Sequence, residues 1–144
     1  MIKIYTDGSC IGNPGNGGWA AIIIINGKKI KIKGNKKNTT NNQMELLAPI
    51  KALKKISKGS KVQIFTDSKY VQSGITEWIH NWKKNGWKTA SKKKVKNIEL
   101  WTELDILSNE FDIKWNWVKA HSTDKFNNEV DLIARNAANL KLSN

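Results

Sequence analysis

The sequence predicts a single α/β domain that spans residues 1–144, with strands and helices in the order βββαβααβα. Short runs rich in β-branched residues alternate along the chain with longer segments whose apolar residues recur at helical spacing. The chain has no internal repeat and no low-complexity linker. Its 144 residues are enough for one domain that buries more than half of the surface its unfolded form exposes.

Three antiparallel strands are predicted at the start of the chain. Residues 2–7 form an apolar run that predicts a strand ending at Asp7. Two β-rich runs follow in GGWAAIIIINGKKIKIKG, on either side of Asn26-Gly27. This dipeptide is typical of a two-residue hairpin turn, so the second and third strands are expected to pair through it.

The first helix is predicted by TNNQMELLAPIKALKKI, in which positions 44, 47, 50, 53 and 56 are apolar. Residues 40–42 offer side chains that cap a helix N-terminus. Pro49 lies inside this pattern, removes a backbone donor and is expected to bend the helix.

The second half of the chain predicts two strands and three helices. KVQIFTDS is a short strand that ends at Asp67, and KYVQSGITEWIHNWKKNGW is a helix interrupted near Gly74 and Gly86. TASKKKVKN is a polar loop, IELWTELDILSN a helix, FDIKWNWVKA an alternating strand, and NNEVDLIARNAANLKL the last helix.

The net charge of +13 predicts a polyanionic partner. Nucleic acid fits better than an anionic membrane, because the lysines are spread along the chain and concentrate in one polar segment, not along a helix with an apolar opposite face. Arg135 is the only arginine.

A cytoplasmic location is expected from the following features. No export signal is visible, and the longest apolar stretch, residues 19–25, is far shorter than a membrane span. Cys10 is the only cysteine, so no internal disulfide forms and the chain is compatible with a reducing compartment.

Four of the 12 acidic residues lie next to the ends of predicted apolar elements. Asp7 and Asp67 each end a strand, and Glu45 and Asp131 each lie in the first turns of a helix. If the first and fourth strands are parallel neighbours, both aspartates emerge at one edge of the sheet, where open α/β sheets place their sites.

Carboxylates gathered in this way raise one another's pKa and therefore call for a metal ion. Their oxygens favour Mg²⁺ or Mn²⁺, and two such ions about 3.5 to 4 Å apart cleave phosphodiesters. The alternative interpretation is that Asp7 and Asp67 are ordinary turn residues, because Asp before Gly or Ser commonly has that role.

The chain resembles bacterial type I ribonuclease H over nearly its whole length. The resemblance is carried by four motifs in this order: YTDGSCIGNPGNGGWA, TTNNQMELLA, TDSKYVQSGITEWIHNWKKNGWKTA and WVKAHSTDKFNNEVDLIA. It implies a ribonuclease H-like fold, a five-stranded mixed sheet with helices on both faces. It also implies Mg²⁺-dependent endonucleolytic hydrolysis of the RNA strand of RNA–DNA hybrids, which leaves 3′-hydroxyl and 5′-phosphate ends.

The resemblance assigns catalytic roles by position. It implies that Asp7, Glu45, Asp67 and Asp131 are catalytic ligands for one or two Mg²⁺ ions, with Mn²⁺ as a substitute. His121 matches a mobile histidine that assists the attacking water or product departure. Its neighbours Ala120, Ser122 and Thr123 stand where the family often has glycine, which predicts a stiffer loop. His121 is otherwise an ordinary loop residue.

Asn127 and Asn128 precede the last helix and are interpreted as its caps. The resemblance additionally implies that the Asn127 side chain is oriented toward the attacking water or the metal. Both roles are compatible.

Substrate contacts are also implied by the resemblance. Contacts to the RNA–DNA minor groove and the 2′-hydroxyls are assigned to Gly8, Cys10, Asn13, Asn41, Asn42, Gln43 and Lys69. The DNA strand is expected to lie in a groove lined by Trp78, with Thr40 and Asn13 near a phosphate. A basic protrusion over about residues 80–98 is expected to bind phosphates through Lys83, Lys84, Lys88, Lys92, Lys93, Lys94 and Lys96. Trp82, Trp87 and Trp101 are expected to pack this segment.

Two other functions stay open on the sequence alone. The first is a non-catalytic module that binds hybrid or duplex, in which the carboxylates are structural. The second is a nuclease of the same fold with another substrate, such as the ribonuclease H domain of a reverse transcriptase. The basic protrusion and Met1 at the start of the first strand favour a free-standing cellular enzyme, which we expect to be a monomer.

Overall fold

The computed structural model of the protein describes residues 1–120 and 123–140. Its strands are β1 (Ile2–Ile11), β2 (Gly15–Ile25), β3 (Lys28–Thr39), β4 (Lys61–Thr66) and β5 (Asp112–Trp117). Its helices are α1 (Asn41–Leu53), α2 (Lys69–Ser73), α3 (Ile79–Lys84), α4 (Ile98–Ser108) and α5 (Lys125–Asn139). A π-helical turn, Gly74–Trp78, joins α2 to α3, so the predicted interruption near Gly74 is present.

The five strands form one mixed sheet in the order β3-β2-β1-β4-β5. The first three strands are antiparallel, whereas β4 pairs in parallel with both β1 and β5. The predicted turn joins β2 to β3, with φ of 51° at Asn26 and 75° at Gly27. Both residues thus adopt the positive φ that this hairpin turn requires. The predicted five-stranded mixed sheet is confirmed.

Helices cover both faces of the sheet, as predicted. On one face, Ile4, Ile23 and Ile64 belong to a core shared with α1 and α4, which includes Leu46 and the fully buried Trp101. On the other face, residues of β1 and β2 pack against α5, in a smaller core of Tyr5, Ala20, Ile22, Val130 and Ala134. The alternation of side chains along each strand divides the apolar residues between the two cores.

Several predicted boundaries were wrong. β1 does not end at Asp7 but continues to Ile11, because β2 remains paired with it as far as Asn16. β3 likewise runs to Thr39 rather than stopping near Gly34. The last helix begins at Lys125 and is capped by Asp124, whose carboxylate accepts a hydrogen bond from the backbone N–H of Asn127. Asn127 and Asn128 are therefore within the helix and do not cap it.

The predicted cap of the first helix is confirmed. Thr40 caps α1 by accepting a hydrogen bond from the backbone N–H of Gln43, and the helix continues through Pro49. None of the helices in residues 1–120 and 123–140 is both long and apolar enough to span a bilayer. That residues 1–144 form one domain stays a prediction.

Candidate active site

The parallel pairing of β1 with β4 brings Asp7 and Asp67 to the same edge of the sheet. The last parallel pair is Thr6 with Thr66, and an aspartate follows each of them directly. β4 ends at this point whereas β1 continues, so the two carboxylates lie beside the carboxyl end of β4. Asp7 is only 4% exposed. The prediction that both aspartates meet at one edge of the sheet is confirmed.

α1 carries Glu45 to this edge because Gly8 lets the helix approach β1 closely. A Cβ atom on Gly8 would lie 2.4 Å from the backbone nitrogen of Glu45, a distance that no side chain tolerates. In return, the backbone N–H of Gly8 donates a hydrogen bond to Oε1 of Glu45. Glu45 is 4% exposed, so the carboxylate is fixed from β1 and shielded from water.

α5 brings Asp131 to the same cavity by a second close approach. A Cβ atom on Gly18 would lie 2.4 Å from the carbonyl oxygen of Ala134 and the nitrogen of Ala138, so this glycine seats α5 on β2. Asp131 lies in the second turn of α5, and its Oδ2 is 3.2 Å from Nε of Arg135 one turn later. Arg135 therefore restrains this carboxylate at the wall of the cavity.

The four carboxylates line one cavity of about 380 Å³ together with Gly8, Ser9, Asn41, Ser68 and Arg135. Carboxylate oxygens of Asp7, Glu45 and Asp67 all lie within 4.8 Å of one another. Asp131 is not within this distance of all three, but its side chain contacts that of Asp7. The predicted gathering of the four carboxylates is present.

The pKa values of the two buried carboxyls are raised. Burial, followed by the nearby charges of Asp67 and Asp131, raises the pKa of Asp7 to about 8. Burial and then the charge of Asp7 raise the pKa of Glu45 well above its usual value, although the N–H of Gly8 opposes this shift. Without a cation, the folded protein therefore holds protons on this cluster at neutral pH.

The donor set fits a hard divalent cation. Its oxygens all come from carboxylates, three of which converge within the span of one coordination sphere, and two of these are buried with raised pKa values. A bound divalent cation would neutralise the charges that otherwise repel one another. The residues present are therefore suited to Mg²⁺ or Mn²⁺.

Asp67 is held by residues that follow it and by β5. The indole N–H of Trp117 donates a 3.1 Å hydrogen bond to the backbone carbonyl of Asp67. Ser68 caps α2 by accepting a hydrogen bond from the N–H of Val71. The ammonium group of Lys69 lies 4.7 Å from the centre of the Trp117 ring. The turn that carries Asp67 is thus braced against β5.

The predicted catalytic residue His121, like its neighbour Ser122, lies outside the described residues. Asn127 is 2% exposed and lies one turn before Asp131 on the same side of α5. The predicted orientation of its side chain toward the water or the metal stays a prediction, whereas its capping role is excluded.

A second cavity, of about 460 Å³, lies beside the N-terminus of α1. It is lined by Asn13, Thr40, Asn42, Gln43, Lys96 and Asn97. Asn13 accepts a 3.0 Å hydrogen bond from the backbone N–H of Asn41. The fold therefore brings together five of the predicted substrate-binding residues. Cys10 lies further along β1, where its thiol donates to the backbone carbonyl of Thr39.

The basic protrusion, residues 80–98, projects its lysines into solvent as predicted. All of the seven are exposed, but Lys83 is 3.2 Å from Asp105 and Lys94 is 3.9 Å from Glu99. The segment is anchored by Val95, which is 3% exposed. Trp101 is fully buried, and Trp82 and Trp87 pack against the same core, so their predicted packing role is confirmed. Trp78 is 39% exposed beside this segment.

Several residues of these sites were missed from the sequence, among them Ser9 and Ser68 of the carboxylate cavity. Asn97 lines the second cavity, Trp117 holds Asp67, and Arg135 contacts Asp131. Arg135 offered a signal, because it is the only arginine and stands four residues after Asp131 on a predicted helix. Asn97 and Trp117 offered none, since their partners are distant in the sequence.

Comparisons with known proteins agree with this geometry. The family model described as RNase H matches residues 1–139. A protein named Ribonuclease H from Wolbachia sp. subsp. Drosophila simulans (strain wRi) is 56% identical over 136 residues, which cover 94% of each chain.

Solved structures show the same fold. The crystal structure of LC9-RNase H1, described as a type 1 RNase H with the type 2 active-site motif, gives a TM-score of 0.83 at 29% identity, covering 95% of this chain and 71% of that one. A foamy viral protease-reverse transcriptase in complex with RNA/DNA hybrid gives a TM-score of 0.81 at 25% identity. The match covers 96% of this chain and 20% of that one. The carboxylate cluster, the sheet that gathers it and the match over residues 1–139 together make this chain a member of the RNase H family.

Proposed function

We propose that the protein is a ribonuclease H, an endoribonuclease that hydrolyses the RNA strand of RNA–DNA hybrids. The observation that carries this function is the convergence of Asp7, Glu45 and Asp67 within 4.8 Å, in a chain whose residues 1–139 match the RNase H family. The similarity to a reverse transcriptase solved with RNA/DNA hybrid supports the same substrate.

Asp7, Glu45, Asp67 and Asp131 are the residues that would hold divalent cations. Bound there, they would supply activation of the attacking water and stabilisation of the departing 3′-oxygen. The chain's own contribution is to keep the carboxylates buried and aligned. Gly8 fixes Glu45, Trp117 braces the turn of Asp67, and Arg135 restrains Asp131.

Two further residues are assigned to proton transfer and orientation. Histidine side chains ordinarily titrate near neutral pH and suit proton transfer, and we assign His121 to the attacking water or to the product. Asn127, one turn before Asp131, is assigned to orient the same region.

The hybrid is proposed to bind across both cavities and the basic protrusion. The second cavity combines amide and hydroxyl groups with Lys96, a donor set that suits a backbone phosphate of the DNA strand. Lysines provide point charges that do not read base edges, so binding is independent of sequence. The choice of Mg²⁺, a monomeric state and a cytoplasmic location are parts of the same proposal.

One assay tests this function. The protein is incubated with RNA–DNA hybrid, double-stranded DNA and double-stranded RNA, each without divalent cations, with Mg²⁺ and with Mn²⁺. We expect cleavage of the hybrid alone, only with a cation, and products with 3′-hydroxyl and 5′-phosphate ends. Binding of the hybrid without any cleavage would instead identify a non-catalytic module, and cleavage of duplex DNA would identify a different nuclease.

A further inference from the structure

A series of side-chain hydrogen bonds connects the second cavity to α2 and α4. Thr39 Oγ1 donates to Oε1 of Gln43 at 2.7 Å, and Nε2 of Gln43 donates to Oδ1 of Asn97 at 3.2 Å. Nδ2 of Asn97 then donates to the hydroxyl oxygen of Tyr70 at 3.1 Å, which also accepts from the Trp101 indole at 2.9 Å. The series joins β3, α1, the basic protrusion, α2 and α4.

Both ends of the Gln43 side chain are used inside the protein. Its amide oxygen accepts from Thr39, and its amide nitrogen donates to Asn97. A lysine or arginine at this position would have no acceptor for the Thr39 hydroxyl, so this pair of contacts requires an amide. Gln43 is also half-buried, unlike its exposed neighbour Asn42. These contacts fix the Gln43 amide between Thr39 and Asn97.

The side chain of Asn97 does not cap the helix that it precedes. It stands at the N-cap position of α4 with a left-handed backbone, φ 59° and ψ 33°, yet its side chain makes no capping hydrogen bond. An asparagine at this position usually bonds the backbone of its own helix. Here both polar atoms of the side chain reach other elements, Gln43 on one side and Tyr70 on the other. The contacts fix the Asn97 amide at the wall of the second cavity.

We propose that Gln43 is a positioning residue, which strengthens hybrid binding by holding the Asn97 amide, and that it does not contact the hybrid directly. The amide nitrogen of Asn97 has two hydrogens, and the contact with Tyr70 uses one. The second hydrogen is available to a phosphate oxygen in the cavity, provided that Gln43 keeps the amide oxygen of Asn97 turned away from that phosphate. This inference rests on the proposed function, and it replaces the direct contact predicted for Gln43.

A double-mutant cycle tests the inference. Hybrid affinity is measured by fluorescence anisotropy without divalent cations for the wild type, Gln43→Leu, Asn97→Gly and the double variant. Glycine is chosen at position 97 because it adopts the left-handed backbone without strain. We expect each single substitution to weaken binding about 3- to 10-fold and the double variant to bind no more weakly than Asn97→Gly alone.

Asn42→Leu is the matched control, because Asn42 lines the same cavity outside this series of hydrogen bonds. Its effect on affinity is expected to add to that of Asn97→Gly. Additive effects of Gln43→Leu and Asn97→Gly would overturn the inference and restore a direct contact. Unchanged affinity of a less thermostable Gln43→Leu protein would overturn it in favour of a purely structural role.

The wild-type protein from the same preparation is assayed for hybrid cleavage with Mg²⁺. An active wild type with additive substitutions rejects the inference alone, whereas a wild type that neither binds nor cleaves hybrid rejects the proposed function and the inference with it. The affinity of Tyr70→Phe provides an independent check, because this change removes the other partner of the Asn97 amide and is expected to weaken binding in the same non-additive way.

Discussion

Asp7 is buried beside two other carboxylates, so its ionisation opposes folding when no cation is bound. Its pKa is raised from 3.8 to about 8, first by burial and then by the neighbouring carboxylates. Between these two values the folded protein holds a proton that the unfolded chain releases. The stabilisation is therefore complete below about pH 4 and is lost as the pH rises through about 8.

Asp7→Asn is expected to stabilise the protein in the absence of cations while it abolishes activity. At pH 8 the free energy of unfolding should increase by about 1 to 3 kcal/mol, with a much smaller change at pH 4. Urea denaturation at the two pH values measures the difference, and Mg²⁺ should reduce it by stabilising the wild type. The exposed Asp112→Asn is the control, and equal effects of the two substitutions at pH 8 would contradict the prediction.

The same variant separates binding from catalysis. A missing ligand should lower the cleavage rate by at least about 100-fold, since bound cations supply several kcal/mol of transition-state stabilisation. Hybrid affinity should stay within about threefold of the wild type, because the lysines and the second cavity are unchanged. Cleavage at the wild-type rate would remove Asp7 from the set of ligands.

Trp117→Phe removes the indole N–H that holds the Asp67 carbonyl but keeps an aromatic ring beside Lys69. We expect the Mg²⁺ concentration for half-maximal activity to rise by roughly tenfold, in line with other residues that orient metal ligands. Lys69→Gln keeps the hydrogen bond to Asp67 and should leave the Mg²⁺ requirement unchanged. If Lys69→Gln alone alters this requirement, Asp67 is supported by the Lys69 ammonium over the Trp117 ring and not by the indole hydrogen bond.

The metal site was more predictable than its supports, for a physical reason. Asp7, Glu45, Asp67 and Asp131 stand at fixed positions relative to strands and helices whose periodicity is visible in the sequence. Asn97 and Trp117 act through contacts with residues 54 and 50 positions away, and no local pattern reports such contacts. Only the tertiary structure brings these partners together.

At the scale of elements, local turn and cap preferences predicted some strand and helix boundaries correctly and others wrongly. The Asn26-Gly27 turn and the Thr40 cap were predicted because each is a local preference. The end of β1 was predicted wrongly because Asp7-Gly8 resembles a turn, whereas pairing with β2 keeps it extended. The start of α5 was missed because Asp124 and Asn127 are both good caps and the sequence does not choose between them.

The seating of α5 on the sheet depends on Gly18, and Gly18→Ala tests this dependence. The added Cβ would lie 2.4 Å from backbone atoms of α5, so the helix must move. We expect the free energy of unfolding to fall by about 2 to 3 kcal/mol and the cleavage rate to drop by about tenfold or more, as Asp131 is displaced.

Gly59→Ala is the control for this change. A Cβ on Gly59 meets no atom within 4 Å, and φ of 85° is its only source of strain. Its cost should stay near 1 kcal/mol, with normal activity. Normal activity of Gly18→Ala would show that the site tolerates a shift of α5.

At the scale of the whole molecule, the charge of +13 is divided unevenly over the surface. The basic protrusion carries seven exposed lysines, of which Lys83 and Lys94 lie near carboxylates of α4. The carboxylate cavity lies at the edge of the sheet. We therefore expect one part of the surface to attract the hybrid and another to cleave it.

The salt dependence of hybrid binding tests the role of the protrusion. Replacement of Lys84, Lys88 and Lys93 by glutamine should reduce the slope of log affinity against log salt concentration by about 0.9 for each phosphate that a lysine no longer neutralises. The control replaces Lys3, Lys61 and Lys114, which are exposed toward the opposite end of the parallel strands, and removes the same charge. Equal changes in slope would mean that net charge alone, and not the protrusion, attracts the hybrid.

α5 supplies the last of the four carboxylates, whereas β1 supplies the first. A chain still emerging from the ribosome can build most of its sheet before residues 125–139 are free to dock. Until then the chain lacks Asp131 and holds an incomplete set of ligands. The order of synthesis is therefore expected to delay cleavage of hybrids until α5 has docked.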